Sequence, residues 1–184
     1  MNDDTSPHLE PPVSARDHAA GPDSAPVTLV EYGDYECPYC GRAYPIVKAI
    51  QKRIGSRLRF VFRNFPITTS HPHAQHAAEA AEAAARQGRF WEMHDALFEH
   101  QRALDDRHLL EYAASIGLDA GPFEHDLTHH AFAPRVREDV MSGARSGVNG
   151  TPTFFINGRR HDEAWDVDTL LRALTSGSPR EVLR

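Results

Sequence analysis

The alternation of apolar and polar positions divides the chain into two strand-bearing regions around a helical block. VTLVEYG, over Val27–Gly33, is β-branched and aromatic and ends on a turn residue, which predicts a strand. A helical stretch follows over Pro38–Ile54 and closes at Gly55, a residue suited to the position just past a helix. LRFVFRNF, over 58–65, is apolar on both faces, the mark of an interior strand. This β-α-β order implies a parallel pair joined by a right-handed crossover.

The pattern then turns helical. SHPHAQHAAEAAEAAARQG is alanine-rich, has Pro72 near its start and stops at Gly88. RFWEMHDALFEHQ places Phe90, Met93, His94, Leu97 and Phe98 on one helical face. DDRHLLEYAASIG and GPFEHDLTHHA predict two shorter helices, and a longer one runs over about 134–146. Strand chemistry resumes after GVNGTP: TFFIN, over 153–157, a turn at Gly158 and a short strand over 159–161 predict a hairpin. VDTLLRALTSG, over 167–177, predicts a closing helix capped by Asp166. Residues 1–25 are polar and proline-rich, offer little to bury and predict a flexible or loosely docked tail. The expected organisation is that tail followed by one α/β domain over 26–184. Its sheet parts lie at about 26–66 and 147–177, and a helical insertion occupies about 71–146.

Composition narrows the function classes. Hydrophobic residues make up 40 % and charged residues 25 % of 184, as in an ordinary soluble globular protein. A formal net charge of −6 argues against a nucleic-acid phosphate binder. No apolar run approaches the roughly 18 residues that span a bilayer, so no membrane partner is expected. The N-terminus lacks the apolar core of a secretory signal, which predicts a cytoplasmic protein. Two cysteines cannot staple a fold; in a reducing compartment the pair is expected to act by chemistry.

That pair is Cys37 and Cys40, in EYGDYECPYC. CxxC is also a zinc spacing, but no second CxxC exists, and the histidines of HPHAQH read more simply as exposed residues at a helix start. Cys37 follows a strand and falls at the N-cap of a helix whose first residue is Pro38, a position where its missing N–H costs nothing. Free backbone N–H groups and the positive helix end then favour a Cys37 thiolate, the reactive form. Cys40, one turn inside, is placed to attack a mixed disulfide. Glu31 shares a strand face with Val27 and Leu29. It is either a buried carboxylate beneath the cysteines, a proton acceptor for Cys40, or an exposed or salt-bridged glutamate. Pro45 stands mid-helix, where a kink is expected. Thr151-Pro152 opens a strand after a glycine-rich turn; the sequence does not decide whether that bond is cis.

DYECPYC, the proline five residues beyond Cys40, and GVNGTPTFFING together resemble a thioredoxin-fold disulfide oxidoreductase of the DsbA type. The likeness covers about residues 26–174 and includes FRNFP, HPHA and FWEMHDALF. It implies a thioredoxin-like fold with a central mixed sheet, an attacking Cys37, a buried partner Cys40 and Glu31 as the buried acid. It further implies a cis-proline at Pro152, facing the cysteines. Thr151 would offer backbone groups to a substrate peptide, with Pro38 and Tyr39 beside it on the substrate side. The expected partners are thiol- or disulfide-containing proteins, or glutathione as a small thiol, and no cofactor or metal is required. The Pro-Tyr dipeptide between the cysteines is more typical of glutaredoxins. It leaves oxidation, reduction and isomerisation open, across potentials of about −270 to −120 mV, and in a reducing cytoplasm reduction or isomerisation gains weight. A glutathione-using isomerase or transferase of the same fold is the alternative within enzymes, and a redox-sensing or metal-binding module the alternative outside them.

The remaining landmarks carry plainer expectations. His71, His73 and His76 read as surface histidines rather than ligands. His94 reads as a satisfied core histidine, and Phe90, Trp91, Met93 and Phe98 as packing of the helical cap. HDLTHH and the charge alternation over 135–139 read as solvated faces.

Overall fold

The computed structural model describes residues 7–176; expectations for residues 1–6 and 177–184 lie outside the described residues. Five strands form one sheet in the order β1-β3-β2-β4-β5. β1 is His18–Ala20, β2 Val27–Gly33, β3 Leu58–Asn64, β4 Thr153–Ile156 and β5 Arg159–His161. β2 and β3 run parallel from Val27 opposite Leu58 to Gly33 opposite Asn64. The other pairs are antiparallel, so the sheet is mixed. The β-α-β crossover is α1, Pro38–Ile54, which is continuous through Pro45. The β4–β5 hairpin turns on Asn157 and Gly158, at φ 49° and 83°. Two left-handed residues in a two-residue loop match the right-handed twist of the flanking strands.

Between β3 and β4 the chain forms α2 (Ala74–Arg86), α3 (Phe90–Glu99), α4 (Asp106–Ser115), α5 (Ala120–Thr128) and α6 (Ala133–Arg145). α2 buries alanines nearly all round, which lets neighbouring helices approach closely. α3 buries Phe90, Met93, His94, Leu97 and Phe98, the face its spacing predicts. α7 (Val167–Ser176) buries Leu170 and Leu174, and Asp166 accepts the N–H groups of Asp168 and Thr169 at its start.

Two apolar cores flank the sheet. The larger joins Leu29, Phe60, Phe62 and Phe154 to α1, the helical block and α7. The smaller joins Leu9, Val30, Tyr32, Val61, Val148 and Phe155 on the opposite face. Each fully buried Leu or Phe contributes about 1.5–3 kcal/mol.

The N-terminal stretch departs from the expected loose tail: from residue 7 onward it is bound to the domain. Arg160 donates to the Pro7 carbonyl and Leu9 donates to that of Gly158. Arg63 donates to the Pro11 and Pro12 carbonyls and pairs with Asp17 at 2.7 Å, both groups buried. Residues 18–20 then add to β3 as β1. Prolines that leave little to bury also leave carbonyls without local partners, and here β5 and Arg63 supply the donors. The charged stretches expected to be solvated also bury members. Asp139 accepts the Asn64 N–H at 2.9 Å and pairs with Arg135, and Asp126 is buried against Arg86.

Candidate active site

β2 delivers its C-terminal end to the start of α1, and the intervening turn is organised by one residue. Asp34 is buried, and its Oδ1 accepts the N–H groups of Glu36 at 2.8 Å and Cys37 at 3.2 Å. Its Oδ2 accepts from Ile67 N–H at 2.8 Å and bonds His71 Nδ1 at 2.7 Å. This tie keeps the His71 imidazole protonated to higher pH than usual: burial opposes the charge, but the bond to Asp34 and nearby negative charges outweigh it. Asp34 thus fastens the turn before Cys37 to the segment after β3.

Cys37 has extended backbone angles at the N-cap of α1, makes no side-chain cap, and is followed by Pro38 at the first helical position. No acidic side chain stands in the first turn, so nothing on the helix offsets its positive end. The Cys37 sulfur lies 3.4 Å from the Thr151 carbonyl oxygen, and the Thr151–Pro152 bond is cis. The Cys37 carbonyl accepts from Gln101 Nε2 at 2.6 Å. Gly41 leaves room for that amide, since a Cβ there would stand 2.2 Å from Gln101 Oε1. The Cys40 sulfur accepts the Asp34 N–H at 3.4 Å and is wholly buried.

The two thiols are therefore electrostatically unlike. The Cys37 thiol is held down to about 5. A hydrogen bond from Cys40 is the chief cause; it acts against partial burial and with help from Thr151 and the N–H groups of Cys40 and Tyr39. Cys40 is pushed well above the ordinary thiol range, by burial first, then by its bond to Cys37 and the charges of Glu31 and Cys37. A thiolate accepting from its neighbour's thiol accounts for both directions.

Glu31 lies between Phe62 of β3 and Phe154 of β4 in register. It is 2 % exposed, and its Oε1 has no hydrogen-bond partner. Burial, and then the Cys37 charge, push its carboxyl up to about 8. Of the two sequence readings, the buried one describes this residue. A cavity of about 110 Å³ touches Glu31 and leads past His94 and Tyr44 to Lys48 and Asp95, an ion pair with partly exposed side chains.

Pro38 and Tyr39 are exposed, Tyr39 at 57 %, with the Arg42 guanidinium 4.3 Å from its ring centre. Thr151 and Pro152 are half-buried. The site thus has an exposed rim of ring and backbone groups around Cys37 and a dry floor holding Cys40 and Glu31. His94 is the expected core histidine: Tyr35 Oη lies 3.1 Å from its Nδ1, and the rings of Tyr35, Tyr44, Phe62, Phe90, Trp91 and Phe98 surround it. Burial, then the charges of Lys48 and His18, press it down to about 3.

Sequence reasoning missed Asp34 and Gln101. Asp34 stands three residues before Cys37, the spacing at which an Asp side chain returns to backbone N–H groups, so a signal existed. Gln101 is 64 positions from Cys37 and carried none.

Residues 14–176 match the family model described as Thioredoxin. Among curated proteins, the chain is 51 % identical over 161 residues to Na+/H+ antiporter NhaA 1 of Salinispora arenicola, covering 88 % of this chain and 24 % of that protein. The chain thus spans about a quarter of the length of the curated relatives it matches. Among the described residues no helix is long and apolar enough to cross a membrane. Among solved structures, oxidised BdbD from Bacillus subtilis superposes with a TM-score of 0.79 at 26 % identity, covering 93 % of this chain and 95 % of that one. A thioredoxin-like oxidoreductase from Silicibacter pomeroyi gives 0.78 at 27 % identity, with 89 % and 92 % covered.

Proposed function

The chain belongs to the thioredoxin family, and from that premise we propose that it is a DsbA-type member that exchanges disulfides with protein thiols through Cys37, in the direction that oxidises them. Thiol–disulfide oxidoreduction is the chemistry of its kind; the direction and the residue roles are the content of the proposal. The antiporter name of the longer relatives contributes nothing to it.

The observation that carries the reading is the asymmetry of the pair. Cys37 stands at a helix N-terminus, 3.4 Å from the Thr151 carbonyl, while Cys40 is sealed beneath it. A substrate thiolate attacks the Cys37 sulfur of the Cys37–Cys40 disulfide, an S–S bond forms between substrate and Cys37, and Cys40 leaves as a thiolate. Glu31, protonated near neutral pH because of its burial, gives Cys40 that proton. It is replenished through the cavity that leads to Lys48 and Asp95. The substrate's second thiolate then attacks its own sulfur in the mixed disulfide and expels the Cys37 thiolate. The substrate loses two electrons and two protons; the enzyme disulfide takes up the two electrons and ends as a Cys40 thiol and a Cys37 thiolate, with the second proton released to solvent. A thiol held near 5 is a good leaving group and stabilises the reduced enzyme, which favours oxidation of substrates. The Thr151 backbone beside Pro152 supplies an extended edge on which a substrate peptide can align.

Insulin reduction and oxidative refolding of a reduced protein test the chemistry. Cys37→Ser is expected to abolish both, and Cys40→Ala to accumulate a mixed disulfide. Full activity in Cys37→Ser would sink the mechanism. Equilibration in a glutathione redox buffer tests the direction: the expected potential lies above about −200 mV, whereas a value near −270 mV, typical of a reductant, overturns the oxidising assignment. The Pro-Tyr dipeptide supports glutathione as a second thiol partner. A saturable glutathione dependence of the refolding rate is expected if glutathione serves as one.

A further inference from the structure

Away from the cysteines, the structure joins two histidines from stretches that read separately as surface polar sequence. His76 and Glu79 lie three residues apart on one face of α2. His130 follows α5, with φ at 49°, in a left-handed conformation unusual for a non-glycine residue. One ring nitrogen of each histidine and one carboxylate oxygen of Glu79 all lie within 4.8 Å of one another. A cavity of about 270 Å³ opens beside them, lined by His76, His130, Asp106, Glu124 and Thr128 among others.

We propose that His76, Glu79 and His130 bind a divalent transition metal of the zinc class, with Asp106 orienting His76. Two imidazoles and one carboxylate are a recognised three-ligand set for zinc that leaves a fourth position to water. The cavity accommodates that water. Around a tetrahedral zinc, neighbouring ligand atoms stand about 3.3–3.5 Å apart, so binding has to draw the trio inward from its present spread of up to 4.8 Å.

Three further features fit. Glu79 is 2 % exposed, yet its described partners are the Gln75 amide at 2.8 Å and His130 Nδ1 at 3.0 Å. An amide and an imidazole give a buried carboxylate full charge compensation only if the imidazole takes a proton or a cation arrives. Second, His76 Nδ1 bonds Asp106 at 2.7 Å, the carboxylate–imidazole arrangement that orients a ligating histidine through its other nitrogen. That nitrogen, Nε2, lies 3.2 Å from the Leu127 carbonyl, a bond the metal displaces. Third, His130 is 62 % exposed at its side chain, which gives the ion an entry path. The ligands come from α2 and from the turn between α5 and α6, so the metal would fasten together two parts of the helical block.

The test is zinc titration of the full chain with Cys37 and Cys40 joined as their disulfide, against a chromophoric chelator, with thermal melts alongside. One zinc per chain is expected, with a melting temperature that rises with zinc concentration by mass action. His130→Ala removes an exposed side chain and is expected to weaken zinc by about 100-fold or more and to abolish the melting shift. Asp106→Asn is expected to weaken it by about 10–100-fold. Glu79→Gln should lose zinc while retaining shape; melts without zinc verify that each variant folds. Zinc held no more tightly by the oxidised wild type than by His130→Ala overturns the proposal. Binding that the reduced protein shows and the disulfide form lacks overturns it in favour of the cysteines.

Discussion

A carboxyl pushed up to about 8 and a thiol held down to about 5 share one site, and each ties stability to pH in an opposite sense. Glu31 keeps its proton longer when folded than when unfolded. It therefore costs nothing below about pH 4.5, and the cost grows until it is complete above about pH 8. Glu31→Gln is expected to stabilise the reduced protein by on the order of 2–4 kcal/mol at pH 9, with no gain near pH 4. Chemical denaturation at the two pH values measures it, and an equal effect at both would contradict a buried, titrating Glu31. Cys37 runs the other way: its folded value is depressed, so its stabilisation is full above about pH 9 and fades as pH falls through about 5. Thiolate absorbance of the reduced protein is expected to titrate near pH 5 and to vanish in Cys37→Ser. Cys37, Cys40 and Glu31 were legible in the sequence for specific reasons. A CxxC at a strand–helix junction and a period of two along one strand are local patterns. Asp139 and Glu79 were not legible, because an acidic side chain on an amphipathic helix looks the same whether it faces solvent or a distant partner, here the Asn64 N–H and the His130 ring.

At the scale of elements, the β2–α1 turn depends on Asp34, whose two oxygens serve four partners. Asp34→Ala would leave the N–H groups of Glu36, Cys37 and Ile67 without that acceptor, at about 1–3 kcal/mol for a buried group stranded dry. A loss of about 2–4 kcal/mol in total is expected, since water reaches part of the turn. The Cys37 titration should broaden or rise as the helix start loosens. Denaturation and thiol titration of the same variant check both, and an unchanged stability would remove Asp34 from its organising position. The elements themselves were highly legible: β2, α1 and the inward face of α3 follow from spacing, and Gly55 and Gly158 mark the ends. The stretch before residue 25 was not. Its order comes from carbonyls meeting Arg63 and Arg160 and from the Leu9 N–H meeting the Gly158 carbonyl, partners about 50 to 150 positions away, and no local pattern encodes a partner at that range.

At the scale of the whole molecule, residues 7–20 cross the full width of the sheet. His8 bridges to Arg159 on β5, the prolines pass over the smaller core, and β1 pairs with β3 at the far side. Removing residues 1–17 is expected to uncover Val30, Val61 and Phe155 and to strip Arg63 of Asp17 and of the Pro11 and Pro12 carbonyls. Breaking a buried ion pair by removing one partner costs up to about 3–5 kcal/mol. A fall of that size in stability, with new binding of a hydrophobic dye, is the expected result; a truncated chain as stable as the parent would show the segment to be ornamental. The same crossing sets how the molecule takes up a mechanical pull. A pull applied at residue 7 is taken up by bonds to β5 and by the antiparallel seam with β3. The force spreads across the sheet in shear before it reaches the turn that holds Cys37. A tether at this end would thus be mechanically insulated from the redox pair, and single-molecule pulling from that end should detach the strap first, with the thiols still reactive.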